Sequence, residues 1–404
     1  MPQVLPLSLQ GRRPGRIRPE LGPLRDVLAD LGDPQLVCPS ILIVGTNGKG
    51  STAAMLEAVL EANGVATGLT TSPHLVSVEE RIRICGEAID RARLEGYLER
   101  LKPFEDLTFF ETVTTAAFLA FAESRVEVAI LEAGMGGSWD ATRVAESEIA
   151  GITNVGSDHA AWLGAEEVDR ARDKGEPLRA AAIAVTGPGL APELIPALGA
   201  PSAVPASGIV DLKPREHGDI RVSWGESVFE VSVPLPGAHQ IDNLHLALAL
   251  ARGAEIAELV PRLEPDRILQ GLDAVRWPGR LSEICVGGRR ILVDGAHNLE
   301  GAEALVAHLA RRGRRRNLLF SCLEDKPLEA MARALEPVVD AVVVCQLDDD
   351  RAMPLDRLAA AFPNSTRAPG PMAALQALTD PVVAAGSLRL VGALLEAAEG
   401  GVGS

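Results

Sequence analysis

The stretch ILIVGTNGKGST, residues 41–52, decides the fold of this chain. Its β-branched start predicts a buried strand, and the segment AAMLEAVLEANG (53–64) that follows has the apolar spacing and the terminal glycine of a helix. A glycine-rich turn between a strand and a helix presents backbone N–H groups at a helix N-terminus, which suits a phosphate group. The sequence therefore predicts a phosphate-binding loop, and a glycine-rich turn without a ligand is the alternative.

The residues of this loop divide the work of binding. The glycines let the backbone wrap a phosphate, and Lys49 can reach the outer phosphates. A hydroxyl after the lysine can hold magnesium, but Gly50 separates Lys49 from both hydroxyls, so which of them contacts the metal stays open. The predicted binding residues are Thr46, Asn47, Gly48, Lys49, Gly50, Ser51 and Thr52.

Strands and helices alternate on both sides of the loop. Further buried parallel strands are predicted at 65–71, 127–132, 148–153 and 181–187. We therefore expect an α/β fold with an open, doubly wound, mostly parallel sheet. The pattern at 209–235 predicts a small antiparallel β appendage, and the Pro and Gly of DAVRWPGRL (273–281) suit a link between domains. The alternation then restarts, which predicts domains at 1–275 and 276–404, the second smaller and Rossmann-like.

Composition limits the classes of partner. The chain has 404 residues, with 39 basic and 55 acidic side chains and a formal net charge of -16, so we expect neither nucleic acid nor an anionic membrane as a partner. A basic cluster at 311–316 is interpreted as a helix C-terminus rather than an RNA site. The sequence has no apolar run of membrane-spanning length, no signal-peptide pattern and no Cys-x-x-Cys pair among its five cysteines. We expect a cytoplasmic protein.

Polar side chains also follow other predicted strands, at the edge where a doubly wound sheet binds its ligand. They are Ser72, Glu132 and His159. Hard divalent cations prefer carboxylate and hydroxyl oxygens, so Glu132 is a predicted magnesium ligand. Taken alone, His159 suits a structural hydrogen bond, but its predicted place near Glu132 favours metal ligation.

The second predicted domain contributes an acid and an imidazole in one turn. Asp294 and His297 lie in DGAHN (294–298), which ends a strand and begins a helix, and an Asx capping turn is the alternative. Arg280 stands in WPGR (277–280) near the predicted domain junction. Closure of one domain on the other could bring this cation onto a phosphate.

These motifs identify a resemblance: the chain resembles the folylpolyglutamate synthase and dihydrofolate synthase group of the Mur-ligase superfamily over most of its length. The segments that carry it are LGDPQ (31–35), GTNGKGST (45–52), TTSPHLVSVEERIRICGEAI (70–89), FFETVTTAAF (109–118), ILEAGMGGSWDAT (130–142), ITNVGSDHAAWLG (152–164), HQIDNLHLALA (239–249), RWPGRL (276–281), DGAHN (294–298) and GSLRLVG (386–392). The resemblance implies a Mur-ligase-like ATP-binding and folate-binding domain, and a C-terminal domain that binds glutamate and closes on ATP. It also implies a monomer whose partners are dihydropteroate, folates, L-glutamate and ATP.

The implied reaction is an ATP-dependent ligation. ATP phosphorylates a folate-side carboxylate, the glutamate amine attacks the acyl phosphate, and phosphate leaves. Magnesium and Lys49 can neutralise the charge that develops. We expect a bifunctional dihydrofolate synthase and folylpolyglutamate synthase. The alternatives are a monofunctional folylpolyglutamate synthase, a Mur-type ligase acting on a UDP-muropeptide, and a nucleotide-switch protein whose hydrolysis does not depend on glutamate.

The family pattern assigns roles to individual residues. The implied metal ligands are Ser51, Ser72, Glu132, His159 and Lys174. The implied ATP contacts outside the loop are Asn243, Arg280 and Asp294. The implied substrate-binding residues are Pro73, His74, Phe110, Glu111, Asp140, Ala141 and Ser387. The implied catalytic residues are Lys49, Lys174, Asp294 and His297.

Lys174 carries the most specific expectation. The resemblance implies that CO2 carbamylates its amine, which turns a cation into a carboxylate-like metal ligand. Its context, ARDKGEPLR (171–179), departs from the Lys-Ala-Gly run of the family, and a solvent-facing helix lysine is the alternative. Trp139 and Arg143 also stand where the family tends to have leucine and asparagine, and this departure bears on pterin specificity.

Overall fold

The computed structural model divides the chain into two compact units. It describes residues 6, 9, 12, 17–215, 218–311, 313 and 315–400, with residues 399 and 400 described by their backbone only. The larger unit contains the described residues up to Pro234 and then His239–Arg276, and the smaller unit contains Leu235–Ala238 and the residues from Trp277 onward. This division falls one residue after the predicted boundary. The functions assigned to the two domains stay predictions.

An eight-stranded sheet forms the centre of the larger unit. Its strands are β1 (Ser40–Val44), β2 (Thr67–Thr70), β3 (Ile82–Ile84), β4 (Glu87–Ala88), β5 (Val128–Glu132), β6 (Ile149–Ile152), β7 (Ile183–Thr186) and β8 (Val204–Pro205). Their order is β4-β3-β2-β5-β1-β6-β7-β8, and among these described strands the β2–β3 and β3–β4 pairings are antiparallel while the other five are parallel. Every residue of β1 is buried, as a strand covered on both faces requires. The predicted doubly wound, mostly parallel sheet is confirmed.

Helices of the larger unit support the strand that precedes the glycine loop. They are α1 (Gly22–Asp30), α2 (Lys49–Ala62), α3 (Arg91–Arg100), α4 (Phe109–Ser124), α5 (Ala160–Leu163), α6 (Glu167–Lys174), α7 (Glu176–Ala180), α8 (Gln240–Ile256) and α9 (Pro265–Ala274). Ten of the 14 residues of α2 are buried, since α8 and α9 pack against it. A Cβ on Gly271 would lie 2.3 Å from the Ala58 carbonyl oxygen, so the approach of α9 to α2 requires glycine there.

A separate three-stranded sheet confirms the predicted β appendage. Its strands are β9 (Asp211–Pro214), β10 (Ile220–Trp224) and β11 (Ser227–Val231), in the antiparallel order β11-β10-β9. Alternate residues of β10 are buried, namely Ile220, Val222 and Trp224. This period of two is typical of a sheet with one packed face.

The smaller unit is a second α/β layer. Its strands are β12 (Ser282–Val286), β13 (Arg289–Val293), β14 (Arg316–Phe320), β15 (Val339–Cys345), β16 (Thr366–Ala368) and β17 (Val382–Ala385), in the order β12-β13-β17-β14-β15-β16. Only β12 and β13 pair antiparallel. Its helices are α10 (Leu299–Arg311), α11 (Leu328–Leu335), α12 (Leu355–Ala361), α13 (Pro371–Ala377) and α14 (Leu388–Gly400). The rings of Phe320 and Phe362 pack in its core with centroids 5.0 Å apart.

The structure bears on two expectations, the basic cluster at the end of a helix and the lack of a membrane-spanning segment. Helix α10 ends at Arg311, as the basic cluster predicted, while Arg312 and Arg314 of that cluster lie outside the described residues. Over the described part of the chain, none of the helices has the length and apolar character that crossing a membrane requires.

Candidate active site

The glycine loop lies between β1 and α2, and its shape depends on two glycines. Gly45 and Gly48 have φ angles of 140° and 88°, which side chains rarely adopt. A Cβ on Gly45 would lie 1.9 Å from Thr153 Oγ1, and one on Gly48 would lie 2.2 Å from Asn243 Oδ1. Asn243, a predicted ATP contact, therefore lies directly against the loop.

The segment after β6 holds the loop by hydrogen bonds. The Thr46 amide donates to the Asn154 carbonyl at 3.0 Å, and the Asn47 amide donates to Asn154 Oδ1 at 2.9 Å. Asn154 Nδ2 donates in return to the Asn47 carbonyl at 3.1 Å, and the Gly156 amide donates to Thr46 Oγ1 at 2.8 Å. Sequence reasoning missed Asn154. The signal was a side-chain amide placed directly after the strand that neighbours β1.

Two lysines donate to one carbonyl of the loop. Lys49 Nζ lies 3.2 Å from the Gly45 oxygen and 3.1 Å from the Thr46 oxygen, and Lys174 Nζ lies 3.0 Å from the same Gly45 oxygen. The Lys174 side chain is 1% exposed, so the alternative of a solvent-facing lysine is wrong. Burial, and next the charge of Lys49, lower the pKa of Lys174 to about 7. Burial therefore favours the neutral amine of Lys174 over the ammonium form.

Both candidate metal-binding hydroxyls lie in the first turn of α2 and are buried. Gln240 Nε2 donates to Ser51 Oγ at 3.4 Å, and Asn243 Nδ2 donates to Gln240 Oε1 at 2.8 Å. Thr52 Oγ1 has no hydrogen-bond partner within the described residues. A buried hydroxyl without a partner suits an incoming oxygen or metal ligand, but the choice between Ser51 and Thr52 stays open.

Glu132 and Ser72 come together at the carboxyl edge of the sheet. Glu132 ends β5 and is paired in register with Ile43 of β1, two residues before the loop. The Ser72 amide, which follows the neighbouring strand β2, donates to Glu132 Oε2 at 3.0 Å. The contact is made by the Ser72 backbone amide, and it brings a carboxylate and a serine residue together, the residue types that suit a hard divalent cation.

His159 lies farther from the end of its strand than predicted. It is not at the end of β6 but seven residues beyond it, in the turn that begins α5, with φ 62°. Its side chain is 34% exposed, and its Nε2 lies 3.8 Å from Asp158 Oδ2. In the described part of the chain, no group of three or more His, Cys, Asp or Glu side chains is arranged to hold a metal.

Two carboxylates predicted to bind substrate, Glu111 and Asp140, accept hydrogen bonds from nearby backbone amides. Glu111 Oε2 accepts from the Thr108 amide at 2.7 Å while Thr108 Oγ1 accepts from the Glu111 amide at 3.2 Å, a capping box at the start of α4. Asp140 accepts from the amides of Thr142 at 3.0 Å and Met135 at 2.9 Å. Burial raises the pKa of Asp140. Both carboxylates therefore fix the local backbone, and their contact with a substrate stays a prediction.

An arginine that sequence reasoning missed joins the two predicted substrate segments. Arg81 Nε donates to His74 Nδ1 at 2.8 Å, and the Arg81 guanidinium lies 5.1 Å from the centroid of the Phe109 ring. Both Arg81 and His74 are buried. Because Nδ1 accepts this hydrogen bond, the neutral ring carries its proton on Nε2.

Other predicted substrate residues lie nearby. The ring of Phe110 packs on Gly134, where a Cβ would come within 2.8 Å of Phe110 Cζ. Pro73 is exposed, and Ala141 is buried as the first residue of the 3₁₀ helix Ala141–Ala145. The segments TTSPHL, FFE and AGMGGSWDAT are thus connected within the larger unit by the His74–Arg81–Phe109 contacts and by the packing of Phe110 on Gly134.

In the smaller unit, Asp294 follows β13 and is held by two amides. Its Oδ2 accepts from the Leu281 amide at 2.9 Å, and its Oδ1 accepts from the Ala296 amide at 2.9 Å. Burial raises the pKa of Asp294, and the charge of Arg280 opposes this. A Cβ on Gly295 would lie 2.5 Å from Arg280 Nη1, so Arg280 lies against the same turn.

His297 and Ser387 complete the predicted set in this unit. His297 Nδ1 lies 2.8 Å from the Gly295 carbonyl, which orients the ring. The alternative interpretation of this turn is also present: Asp294 Oδ1 accepts from the amide two residues on, as in an Asx turn, and Asn298 Oδ1 accepts from the Gly301 amide at 2.8 Å at the start of α10. Ser387 Oγ accepts from the Arg389 amide at 3.1 Å at the start of α14.

Comparison with known families gives one match in each unit. Residues 43–168 match the Mur ligase middle domain, and residues 279–393 match the Mur ligase, glutamate ligase domain. The first match contains the glycine loop and Glu132, and the second contains Asp294 and His297.

Curated relatives extend the likeness over most of the chain. The "Dihydrofolate synthase/folylpolyglutamate synthase" of Mycobacterium tuberculosis is 34% identical over 388 residues, which cover 86% of this chain and 78% of the relative. The "Probable bifunctional folylpolyglutamate synthase/dihydropteroate synthase" of Haloferax volcanii is 33% identical over 372 residues, which cover 86% of this chain. The chain spans only 43% of that longer relative.

Solved structures agree with these matches. A crystal structure of the bifunctional folylpolyglutamate synthase/dihydrofolate synthase from Yersinia pestis, complexed with AMPPNP and Mn ion, superposes with a TM-score of 0.82 at 27% identity and covers 98% of this chain and 99% of that one. On these matches the predicted fold class and the predicted class of ATP-dependent ligase are confirmed, and the chain belongs to the folylpolyglutamate synthase and dihydrofolate synthase family of the Mur ligases.

Proposed function

We propose that this chain uses ATP to join L-glutamate to dihydropteroate and to folates, and so acts as both dihydrofolate synthase and folylpolyglutamate synthase. The observation that carries the proposal is the glycine loop, on whose Gly45 carbonyl two lysines converge beside the Glu132 and Ser72 pair. The double name of the M. tuberculosis relative supports both activities.

The chemistry needs an activated carboxylate. A carboxylate is a poor electrophile until one of its oxygens is bound to a phosphoryl group that can leave. Lys49, at the N-terminus of α2, would hold the outer phosphates of ATP while a folate carboxylate oxygen attacks the terminal phosphorus, the bond from that phosphorus to the β-phosphate oxygen breaks, and ADP leaves. The glutamate nitrogen then attacks the acyl carbon, and inorganic phosphate departs from the tetrahedral intermediate.

A divalent cation fits the donor set of the larger unit. The cation would be held by phosphate oxygens together with Ser72, Glu132, His159 and the hydroxyl of Ser51 or Thr52. Thr52 Oγ1, which has no hydrogen-bond partner among the described residues, supports this fit. When bound, magnesium supplies positive charge that neutralises the phosphoryl oxygens.

Lys174 is proposed to carry a carbamate. The neutral amine attacks the carbon of CO2, an N–C bond forms, and the nitrogen loses a proton, which leaves an anionic carboxylate-like group. The burial of Lys174 beside the loop supports this, because a buried amine favours the neutral form that the reaction requires. An electron-density map with a bare amine at Lys174 would count against it.

The roles of the remaining predicted residues are proposed from their fixed geometry. Asn243 would contact ATP from α8, and Arg280 and Asp294 would contact it from the smaller unit. His297 would assist the acyl transfer. The pockets for folate and glutamate would include Pro73, His74, Phe110, Glu111, Asp140, Ala141 and Ser387. We also propose a monomer in the cytoplasm, which light scattering and cell fractionation can check.

One assay tests the proposed function. ADP release is measured with dihydropteroate, tetrahydrofolate or a UDP-muropeptide, each with and without L-glutamate. We expect release with both folate acceptors only when glutamate is present. Turnover with tetrahydrofolate alone would reduce the function to folylpolyglutamate synthase. Turnover only with the muropeptide would overturn the substrate class, and ADP release independent of glutamate would favour a nucleotide switch.

A further inference from the structure

We infer that Arg170 is a positioning residue that holds the segment 156–165, with His159 in it, against the phosphate loop. The inference rests on the proposed function, because it names what keeps a proposed metal ligand in place. Arg170 touches no reacting group, so it would act through the backbone that it binds.

Arg170 binds both ends of that segment. Its Nε donates to the Gly156 carbonyl at 2.7 Å, and its Nη1 donates to the carbonyls of Gly164 at 3.0 Å and Ala165 at 2.7 Å. The side chain is 3% exposed. Burying a guanidinium costs free energy unless its N–H groups find acceptors, and here three backbone carbonyls are gathered around it.

Much of the segment lies at the surface. Its one helix, α5, has four residues, and the described residues 157, 160–162 and 165 are exposed, with Trp162 at 53%. His159 and Gly164 have positive φ angles of 62° and 107°. A backbone that turns sharply and buries few apolar side chains depends on side-chain hydrogen bonds for its conformation.

The same arginine reaches the phosphate loop through one intermediate residue. Gly156 accepts from Arg170 through its carbonyl and donates through its amide to Thr46 Oγ1 at 2.8 Å. Lys174 lies four residues after Arg170, on the same face of α6, and its Nζ donates to the Gly45 carbonyl at 3.0 Å. One face of α6 therefore holds the phosphate loop twice, directly through Lys174 and indirectly through Arg170 and Gly156.

Arginine suits this position better than lysine. Its planar fork presents separate N–H groups in fixed directions, so one side chain can hold carbonyls from two ends of a loop. A lysine ammonium at the same place could keep only part of that set. Replacing Arg170 should therefore disturb the placement of His159 more than the folding of the sheet.

The test compares Arg170→Met and Arg170→Lys with Arg172→Met as the matched control. Arg172 lies on the same helix, its side chain is 63% exposed, and it pairs with Asp169 at 3.0 Å. Affinity for AMPPNP is measured by calorimetry with and without Mn²⁺, and kcat and KM are measured in the ligation assay. We expect Arg170→Met to reduce the gain in AMPPNP affinity from Mn²⁺ by about tenfold and kcat by about 100-fold, with KM for glutamate changed less than about twofold.

Further outcomes decide between positioning and folding. Arg170→Lys should recover part of the loss, and Arg172→Met should match the wild type. If Arg170→Met is poorly folded, Arg170→Ala with added guanidinium ion replaces it, and recovery of the Mn²⁺ effect supports the inference. Unchanged Mn²⁺ dependence with only a lower melting temperature would overturn it. Because the AMPPNP measurement needs no folate, it still decides the inference if the wild type fails to turn over folates.

Discussion

The glycine loop at the carboxyl edge of the eight-stranded sheet and the Asp294 turn at the carboxyl edge of the six-stranded sheet are held in opposite ways. At the edge of the eight-stranded sheet, side chains hold the backbone of the glycine loop. The Asn154 side chain binds both the backbone amide and the backbone carbonyl of Asn47, and Lys49 and Lys174 donate to the Gly45 carbonyl. At the edge of the six-stranded sheet, backbone holds a side chain, since each carboxylate oxygen of Asp294 accepts from an amide. The first arrangement shapes a cradle, and the second fixes one charged group.

This difference predicts different responses to substitution. Changes at the first edge should weaken nucleotide binding and chemistry while the fold persists. Changes at the second edge should leave buried amides without acceptors and so reduce stability as well.

The largest effect is expected from Lys174→Met. The variant keeps the length of the buried side chain but removes the amine, so ADP release coupled to ligation should fall by about 10³-fold or more. Its melting temperature should not fall, because no buried amine needs to be neutralised. Lys102→Met, at a lysine whose side chain is 54% exposed, serves as the control. Activity within tenfold of the wild type would remove Lys174 from the proposed site.

Asp294→Ala tests the second edge. The buried amides of Leu281 and Ala296 would lose their acceptor, which costs about 2–4 kcal/mol in local stability. Hydrogen exchange at these two amides measures the loss. Asp294→Asn keeps one acceptor oxygen and should lose about half as much, and Asp348→Ala, at an exposed position of the same unit, should change nothing. Equal exchange in Asp294→Ala and the wild type would show that the amides do not depend on the carboxylate.

Glu57 of α2 contrasts with Asp294, because its Oε1 has no hydrogen-bond partner in the described chain, although Oε2 pairs with Arg83 Nε at 3.1 Å. Burial raises the pKa of Glu57 to about 7, while Arg83 opposes this. Because the folded-state pKa of Glu57 is raised, the protonated side chain contributes to the stability of the folded protein. This contribution is complete below about pH 4.5 and is lost as pH rises through 7.

The wild type should therefore lose up to about 3 kcal/mol relative to Glu57→Gln between pH 4.5 and pH 8. Chemical unfolding at several pH values measures this difference. Glu99→Gln, at a glutamate whose side chain is 58% exposed, should show no such trend. A pH-independent difference between wild type and Glu57→Gln would contradict the assigned titration.

The smallest effect is expected from Asn154→Ala. The phosphate loop loses two hydrogen bonds to Asn47, and AMPPNP affinity should fall by about tenfold, while the fold is kept. Calorimetry measures the affinity, with Asn364→Ala at an exposed turn as the control. A loss of stability without a loss of affinity would mean that the first edge resembles the second.

Local pattern predicted the parts of the site that depend on strand ends. Strand, glycine turn and helix follow one another at 40–62, and Ser72 and Glu132 meet because they follow neighbouring parallel strands. The family and the fold class are confirmed for the same reason, since the motifs lie in order along the chain.

Other parts could not be predicted because their partners are backbone atoms. Asn154 and Asn47 are 107 residues apart, and the carbonyls bound by Arg170 leave no pattern in the sequence. His159 was placed at a strand end because the length of the turn after β6 is not visible in the residue pattern. The spacing Thr108-Phe-Phe-Glu111 is that of a capping box, so the local role of Glu111 follows from the sequence, whereas its predicted substrate contact follows only from the family resemblance.

The packing of α2 has a consequence for how a nucleotide arrives. Helix α2, which directly follows the glycine turn, packs against both α8 and α9, and the close approach of α9 requires Gly271. A nucleoside triphosphate would therefore bind to a loop that already has its binding conformation. Little of the binding free energy would go into ordering the protein, so more would remain to strain the phosphate bond that breaks.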